Sequence, residues 1–439
     1  MTATRDPEVE RHSRRAWWVA GVTLAALVAA AGFRSSTGAL LEPLEQEFGW
    51  SRATTSGAVS LNLVVYGLTA PFAAALMERF GIRRVVTGAL LLVSAGAGLT
   101  LVMTSAWQLW LLWGIPVGVG TGAMALVLGA IVANRWFVRN RGLVTGLFSA
   151  ASSTGQLIFL PAIAHLAEDP GWRWAAALVA VFALLLVPVV FLVMRDRPSD
   201  VGELPFGADA SYVDPPIDRS GPGPARMALE SLRMASRRWV FWALFLSFWI
   251  CGWSTNGLIG THFIPAAHDH GMPSTTSASL LALIGVFDII GTLASGWLTD
   301  RVDSRHLLFV YYFLRALSLL VVPTLLGPDV QPSLFLFIVF YGLDWVATVP
   351  PTVALCRTHF GLERSSVVFG WVFAAHMVGA GVAASYAGWI RQGLGDYYWA
   401  WMTAGGLCLL ASVMVLSIPR RAEPAEPSLN QVGEESAQI

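Results

Sequence analysis

The stretch "ALMERFGIR", Ala75–Arg83, returns as "WLTDRVDSR" at Trp297–Arg305, an offset of 222 residues. Each copy is a short charged patch between two long apolar runs. Other segments repeat in the same order. "TTS" at Thr54–Ser56 recurs at Thr275–Ser277, and "RWFVRNR" from Arg135 matches "RTHFGLER" from Arg357. "GLFSAASSTGQ" from Gly146 matches "GWVFAAHMVGA" from Gly370, with a further glycine nine residues on in both, Gly155 and Gly379. Four ordered matches at nearly constant offset are the mark of a duplicated unit.

The flanking runs set the class. The chain has 439 residues, 55% hydrophobic and only 13% charged, with a mean hydropathy of +0.60. A soluble domain carries about 25% charged residues. Twelve apolar runs are read, at about 17–41, 54–76, 85–104, 107–133, 143–165, 174–194, 239–264, 275–298, 306–326, 333–356, 366–388 and 397–418. At 1.5 Å per residue each can cross a hydrocarbon core of roughly 30 Å. Backbone groups in lipid must be satisfied within the segment, so the runs are helices. The fold class is an all-α membrane protein of twelve transmembrane helices in two six-helix pseudo-repeats. Residues 1–194 form the first half with its tail, and 239–418 the second. Between them, 195–238 carries "RPSDVGELPFGADASYVDPPIDRSGPGP", too rich in Pro, Gly and Asp to form a core. It reads as a flexible linker with a short helix near 225–236, and 419–439 as a tail. An even number of spans per half makes the halves parallel. Such repeats are a transporter signature, with the substrate site near mid-membrane between the halves.

Lysine is absent, so arginine carries all 28 positive charges. With a cytoplasmic N-terminus, 23 arginines face the cytoplasm, Arg52, Arg173 and Arg391 face outside, and Arg34 and Arg315 fall within spans. That asymmetry follows the positive-inside rule. The reading is a multi-pass protein of a bacterial inner (plasma) membrane with both termini cytoplasmic, its first run too long for a cleavable signal. Cys251, Cys356 and Cys408 show no disulfide or metal spacing and read as small core residues. No phosphate loop, nucleotide fingerprint, metal cluster or nucleophile constellation is present. Neither a cofactor, a nucleic-acid partner nor an enzyme activity is therefore expected. The partners are the lipid bilayer and a small solute, and the chain reads as a functional monomer.

The charged patches resemble the acidic–Arg–x–Gly–x–basic loop of the major facilitator superfamily, found between helices 2–3 and 8–9. In the second copy Gly296, Asp300 and Arg301 stand at family spacing, with Arg305 beyond. In the first, Glu78 replaces the usual Asp, Ala74 the usual Gly and Ile82 a basic residue, which leaves Glu78, Arg79, Gly81 and Arg83. "LLEPLEQEFGWSRATTS", "NRWFVRNRGLVTGLFSAASSTG" and "FDIIGTLASGWLTDR" resemble bacterial relatives of the monocarboxylate carriers. The resemblance spans nearly all of 15–418. It implies that helices 1, 4, 7 and 10 line a central cavity, that 2, 5, 8 and 11 flank it, and that 3, 6, 9 and 12 sit behind. It also implies that the loop charges gate one end.

Ionisable residues within spans are functional candidates, because each is costly unless paired or hydrated. Arg34 lies about 25 Å along span 1 from its cytoplasmic start, where it can hold a carboxylate bidentately or snorkel to the outer headgroups. The resemblance favours the first, since the carriers often place a basic residue there. Asp288, in "FDIIG", matches the family's helix-8 Asp, but Thr292 stands where the animal carriers have an Arg. Arg315 can compensate, so Asp288 and Arg315 form either a structural pair or a proton relay. Asp344, on span 10, can hold a proton or pair with Arg34. His376 is a further proton-coupling candidate. Asn62, Tyr66, Gln156, Asn256 and Tyr341 complete the substrate-binding set. Tyr66 is the repeat mate of Asp288, and "STN" at Ser254–Asn256 that of the Arg34 region. The expected function is alternating-access transport of a small organic anion, a monocarboxylate by resemblance, with a proton. Efflux of amphipathic compounds and a transporter-like sensor are the alternatives.

Overall fold

The computed structural model describes residues 7–50, 52–167, 171–209, 211–213 and 223–420. Residues 1–6 and the tail from 421 onward lie outside the described residues. In the first half, span 1 is Pro7–Phe48, span 2 Arg52–Phe80, span 3 Ile82–Thr100, span 4 Ala106–Trp136, span 5 Arg141–Leu166 and span 6 Trp172–Val193. In the second, span 7 covers 239–269, span 8 is Ser274–Thr299, span 9 Ser304–Leu325, span 10 covers 332–360, span 11 covers 362–394 and span 12 is Tyr398–Leu416. Nine of the described helices are long and apolar enough to cross a membrane. One of these, Pro332–Leu394, holds both spans 10 and 11. They divide at Gly361, whose φ of 75° and ψ of 166° suit a residue without a Cβ. With Arg141–Leu166 and 239–269 the rods number twelve among the described residues.

Span 1 runs well past both ends of its apolar stretch, because hydropathy marks the lipid boundary and not the end of the hydrogen-bond ladder. The repeat is visible in the packing. Gly155 lets span 5 close onto the backbone of span 1 at Val28, and Gly379 lets span 11 close onto span 7 at Trp249. In span 4, Gly118 and Gly122 bring the helix against the backbone of span 2 at Asn62 and Tyr66. Close approach of this kind is how helices associate where lipid removes the hydrophobic drive.

The described linker residues just after span 6, 195–209, are anchored to the first half. Phe206 N–H donates to the Trp136 carbonyl at 2.8 Å, and Val138 N–H donates to the Phe206 carbonyl at 2.9 Å. Glu203 pairs with Arg15 at 3.1 Å, and the Phe206 ring packs against Trp17 and Phe137. One aromatic and one acid thus anchor a Pro-rich run that has no core of its own. The linker helix, Pro224–Ala235, begins with proline at its first turn as the sequence suggests. It rests on spans 2 and 11, and Trp371 Nε1 donates to its Ala228 carbonyl at 3.0 Å.

Candidate functional site

A cavity of about 330 Å³ lies between the halves. Its lining comes from spans 1, 2, 4, 5, 7, 8, 10 and 11 and includes nothing from spans 3, 6, 9 or 12. Spans 4 and 10 both break at the cavity wall. Span 4 breaks at Met124–Ala125, where Ala125 is extended, and span 10 at Trp345–Thr348, a turn between Asp344 and Val349. The breaks are repeat mates at an offset of 222. Irregular backbone at membrane depth is tolerated where it lines a cavity and its polar groups find partners. At the span 10 break they do. Val346 N–H donates to Asp288 at 2.9 Å, Ser295 donates to the Ala347 carbonyl at 2.6 Å, and Arg315 Nη2 donates to the Asp344 and Trp345 carbonyls at 2.5 and 3.2 Å. Span 7 adds a wide-turn segment, Trp253–Ile259, which presents Thr255 and Asn256 to the cavity.

Arg34 is the charged side chain among the described lining residues. Its guanidinium carbon lies 5.2 Å from the Tyr66 ring centroid, so it faces the cavity, where snorkelling would turn it to the headgroups. Its repeat mate, Asn256, lies 3.3 Å from His376 Nε2. The His376 ring sits by Phe248 and stacks on Phe373, and its Nδ1 is buried with no hydrogen bond to a described residue. Gln156 and Tyr66 also line the space. Asn62 and Tyr341 do not: Asn62 donates to the Trp113 carbonyl at 2.9 Å and Tyr341 to the Ser254 carbonyl at 2.7 Å, behind the wall.

The ion pair differs from the sequence expectation. Arg315 pairs with Asp344 at 2.6 Å, not with Asp288, and Asp344 does not reach Arg34. Arg315 is fully buried, and its Nη1 also reaches Cys251 Sγ at 3.1 Å and Ser254 Oγ at 3.4 Å. From span 9 the guanidinium points at spans 7 and 10, whereas Asp288 on span 8 points at span 5. The pair clasps the span 10 break from behind the wall, so Asp344 and Arg315 are not lining residues. Asp288 is buried and satisfied by neutral donors: Ser153 Oγ of span 5, Thr292 Oγ1 at 2.8 Å and Val346 N–H. Ser153 lines the cavity, so one hydroxyl separates the carboxyl from the solute space and links it across the halves. Thr292, where the animal carriers have an arginine, is buried and spends its hydroxyl on Asp288. Its backbone carbonyl would lie 2.7 Å from a Cβ at Gly146, so spans 5 and 8 are in close contact at this level.

The loop charges gather at the arginine-rich end of the bundle. Asp300 accepts from the Gly142 and Leu143 N–H groups at 2.8 and 3.1 Å, and so caps the start of span 5 across the two halves. Glu78, its repeat mate, pairs instead with Arg135 of its own half at 2.5 Å. Gly81 turns the chain at φ 89°, and Arg83 N–H donates to Asp196 at 2.9 Å. Arg305 pairs with Asp303 at 2.6 Å and reaches the Ile418 carbonyl. Arg79 and Arg301 lie against Phe80 and Trp297. Gly142 and Gly146 meet Gly296, and Gly370 meets Pro71, so this end is closed. The cavity continues toward the other end past Gln156 and Gly260, both exposed. Ser153 had no signal in the sequence, and Cys251, expected as a small core residue, lines the cavity.

The sequence profile of the Major Facilitator Superfamily matches residues 22–384. The chain belongs to the major facilitator superfamily. Members of this superfamily are transporters rather than enzymes, and this chain is a multi-pass membrane transporter. It is similar to YcxA, an uncharacterized MFS-type transporter of Bacillus subtilis, at 26% identity over 85% of this chain and 88% of that protein. It is similar to monocarboxylate transporter 11 of Mus musculus at 26% identity over 92% of this chain and 87% of the relative. Among solved structures, a doubly tryptophan-substituted XylE shares the fold with a TM-score of 0.69 at 15% identity, over 93% of this chain and 97% of that one.

Proposed function

We propose that this major facilitator is a secondary transporter of a small monocarboxylate, carried with a proton by alternating access between its two six-helix halves. The observation that carries the reading is Arg34: a guanidinium on the cavity wall of span 1, held over Tyr66 and opposite the Asn256–His376 pair. In a low-dielectric cavity a guanidinium favours a carboxylate, which it can grip with two parallel hydrogen bonds. The names of the monocarboxylate-transporter relatives support the same class. Asp288 is the proton site in this reading. When ionised it accepts from three donors, and a proton on it displaces one of them. The Ser153 bond between the halves is the one nearest the solute. The excess of arginine at the closed end supports a cytoplasmic location for that end and for both termini, with the cavity open outward and the chain working as a monomer in a bacterial inner membrane.

The test is uptake of labelled monocarboxylates into proteoliposomes with and without an imposed pH gradient. Uptake that is stimulated by an inward proton gradient and lost in Arg34→Gln supports the reading. Failure to move any carboxylate, or full transport by Arg34→Gln, overturns it.

A further inference from the structure

We infer that the carboxylate taken by this cavity carries an aromatic body, as an aryl- or indolyl-acetate does, rather than being a two- or three-carbon acid. The inference rests on the monocarboxylate reading and narrows it. Size is the first ground. The cavity of about 330 Å³ is roomier than a two- or three-carbon acid requires. Bound solutes of this kind bury most of their surface.

The wall chemistry is the second ground. Tyr66, Trp345 and Phe373 edge the cavity from spans 2, 10 and 11, and Phe148 and Phe248 of spans 5 and 7 lie buried in its wall, so rings come from both halves. Several are already set in ring-pair geometry: Tyr66 meets Phe373 edge-on at 5.7 Å, and Phe248 meets His376 at 5.0 Å. A further ring gains from each favourable ring pair beyond its buried area. Arg34 lies over Tyr66, so a carboxylate held there has its body directed among the rings. Charge sets the remaining limits. No Asp or Glu is among the described lining residues, because Asp288 stands behind Ser153, so an α-ammonium finds no anion and an aromatic amino acid is disfavoured. Arg34 is the one arginine among the described lining residues, and a single guanidinium grips one carboxylate.

The experiment is competition in proteoliposomes holding the full chain, with phenylacetate and indole-3-acetate set against acetate, lactate, succinate and phenylalanine. The aromatic monoacids are expected to half-saturate transport at least tenfold below acetate and lactate, with succinate and phenylalanine weaker still. Trp345→Leu is expected to cut that preference to under threefold, and Trp345→Phe to restore it. Wild-type selectivity decides the matter even if the leucine variant does not fold. If acetate or lactate binds as well as phenylacetate while Arg34→Gln abolishes both, the aromatic inference fails and the monocarboxylate reading stands. If no carboxylate competes, or Arg34→Gln is indifferent, the underlying reading fails.

Discussion

Gly296→Ala is the most direct perturbation of the closed end. A Cβ at this position would run into the Gly142 carbonyl oxygen and lie 2.9 Å from Gly146 Cα. The obstructing atoms are backbone of span 5, so no side-chain rotation relieves the overlap. Separation of spans 5 and 8 does. Overpacking of this kind costs about 1–3 kcal/mol. Because the contact lies between the halves, that cost falls on the closed arrangement and not on the fold of either half. It changes the closed-to-open ratio about 5- to 150-fold, since each 1.4 kcal/mol is a factor of ten. The assay is a spin-label distance across the arginine-rich end, with Arg139→Cys in the loop after span 4 and Val302→Cys in the loop after span 8, both exposed and on opposite halves. Gly296→Ala is expected to transfer population to a longer distance. Gly88→Ala is the control, because nothing lies within 4 Å of a Cβ there. A folded Gly296→Ala protein with the wild-type distribution, or a shorter distance, refutes the reasoning.

Removal of either partner of the buried Arg315–Asp344 pair leaves an uncompensated charge, so Asp344→Asn or Arg315→Met is expected to cost about 3–5 kcal/mol, and the double variant much less than the sum. Thermal unfolding in detergent measures the cycle, and additivity argues against the clasp. Asp288→Asn is expected to keep counterflow exchange but lose accumulation driven by a pH gradient; intact accumulation removes Asp288 from the coupling. The hydrogen bond from Arg305 holds Asp303 at about 2, below its usual 3.8. The contribution of this pair is therefore complete above pH 3.8 and lost only as pH falls through about 2, so the loop distance should not change between pH 5 and 8, whereas Asp303→Asn should change it at pH 7. Trp371→Phe deletes a hydrogen bond to the linker helix, worth about 0.5–1.5 kcal/mol. Limited proteolysis should then cut the linker faster, and an unchanged rate means that the bond does not hold the helix.

The duplication, the twelve apolar runs and the paired loop motifs were legible because hydropathy and the 222-residue offset are properties of the chain alone. The repeat even located the Gly155 and Gly379 contacts. What was not legible depended on direction. Asp288 and Arg315 both fall at mid-membrane depth, and depth alone suggests a pair, but rotation about spans 8 and 9 sends one to span 5 and the other to span 10. The breaks at Ala125 and Ala347 have no local signal strong enough to end a helix, since Pro350 and Pro351 lie beyond the second and nothing comparable follows the first. The anchoring of Phe206 reflects a tertiary contact that composition does not encode.

The two breaks show how the halves divided their work. At equivalent places, Asp344 has Gly122 as its mate and Arg315 has Val93. In the first half a Cβ at Gly122 would lie 2.6 Å from the Tyr66 carbonyl, and Val93 lies against Gly120, so this break is held by close apolar packing. In the second half the same geometry is held by a guanidinium and a carboxylate, with Asp288 taking the Val346 N–H. Packing of the first kind has one arrangement, whereas the second includes a carboxyl that changes its hydrogen bonds when it gains a proton. The mates at the solute space divide in the same way: fixed charge and ring on one side, Arg34 and Tyr66, and neutral amide and titratable acid on the other, Asn256 and Asp288. On the proposed reading, one wall binds the anion without titrating and the other answers to the proton. Exchanging the pairs, with Arg34→Asn and Asn256→Arg together, keeps the cavity's charge but moves the anion to the titrating wall. Binding should then survive while the dependence of uptake on the pH gradient changes. An unaltered gradient dependence would mean that the two walls are equivalent.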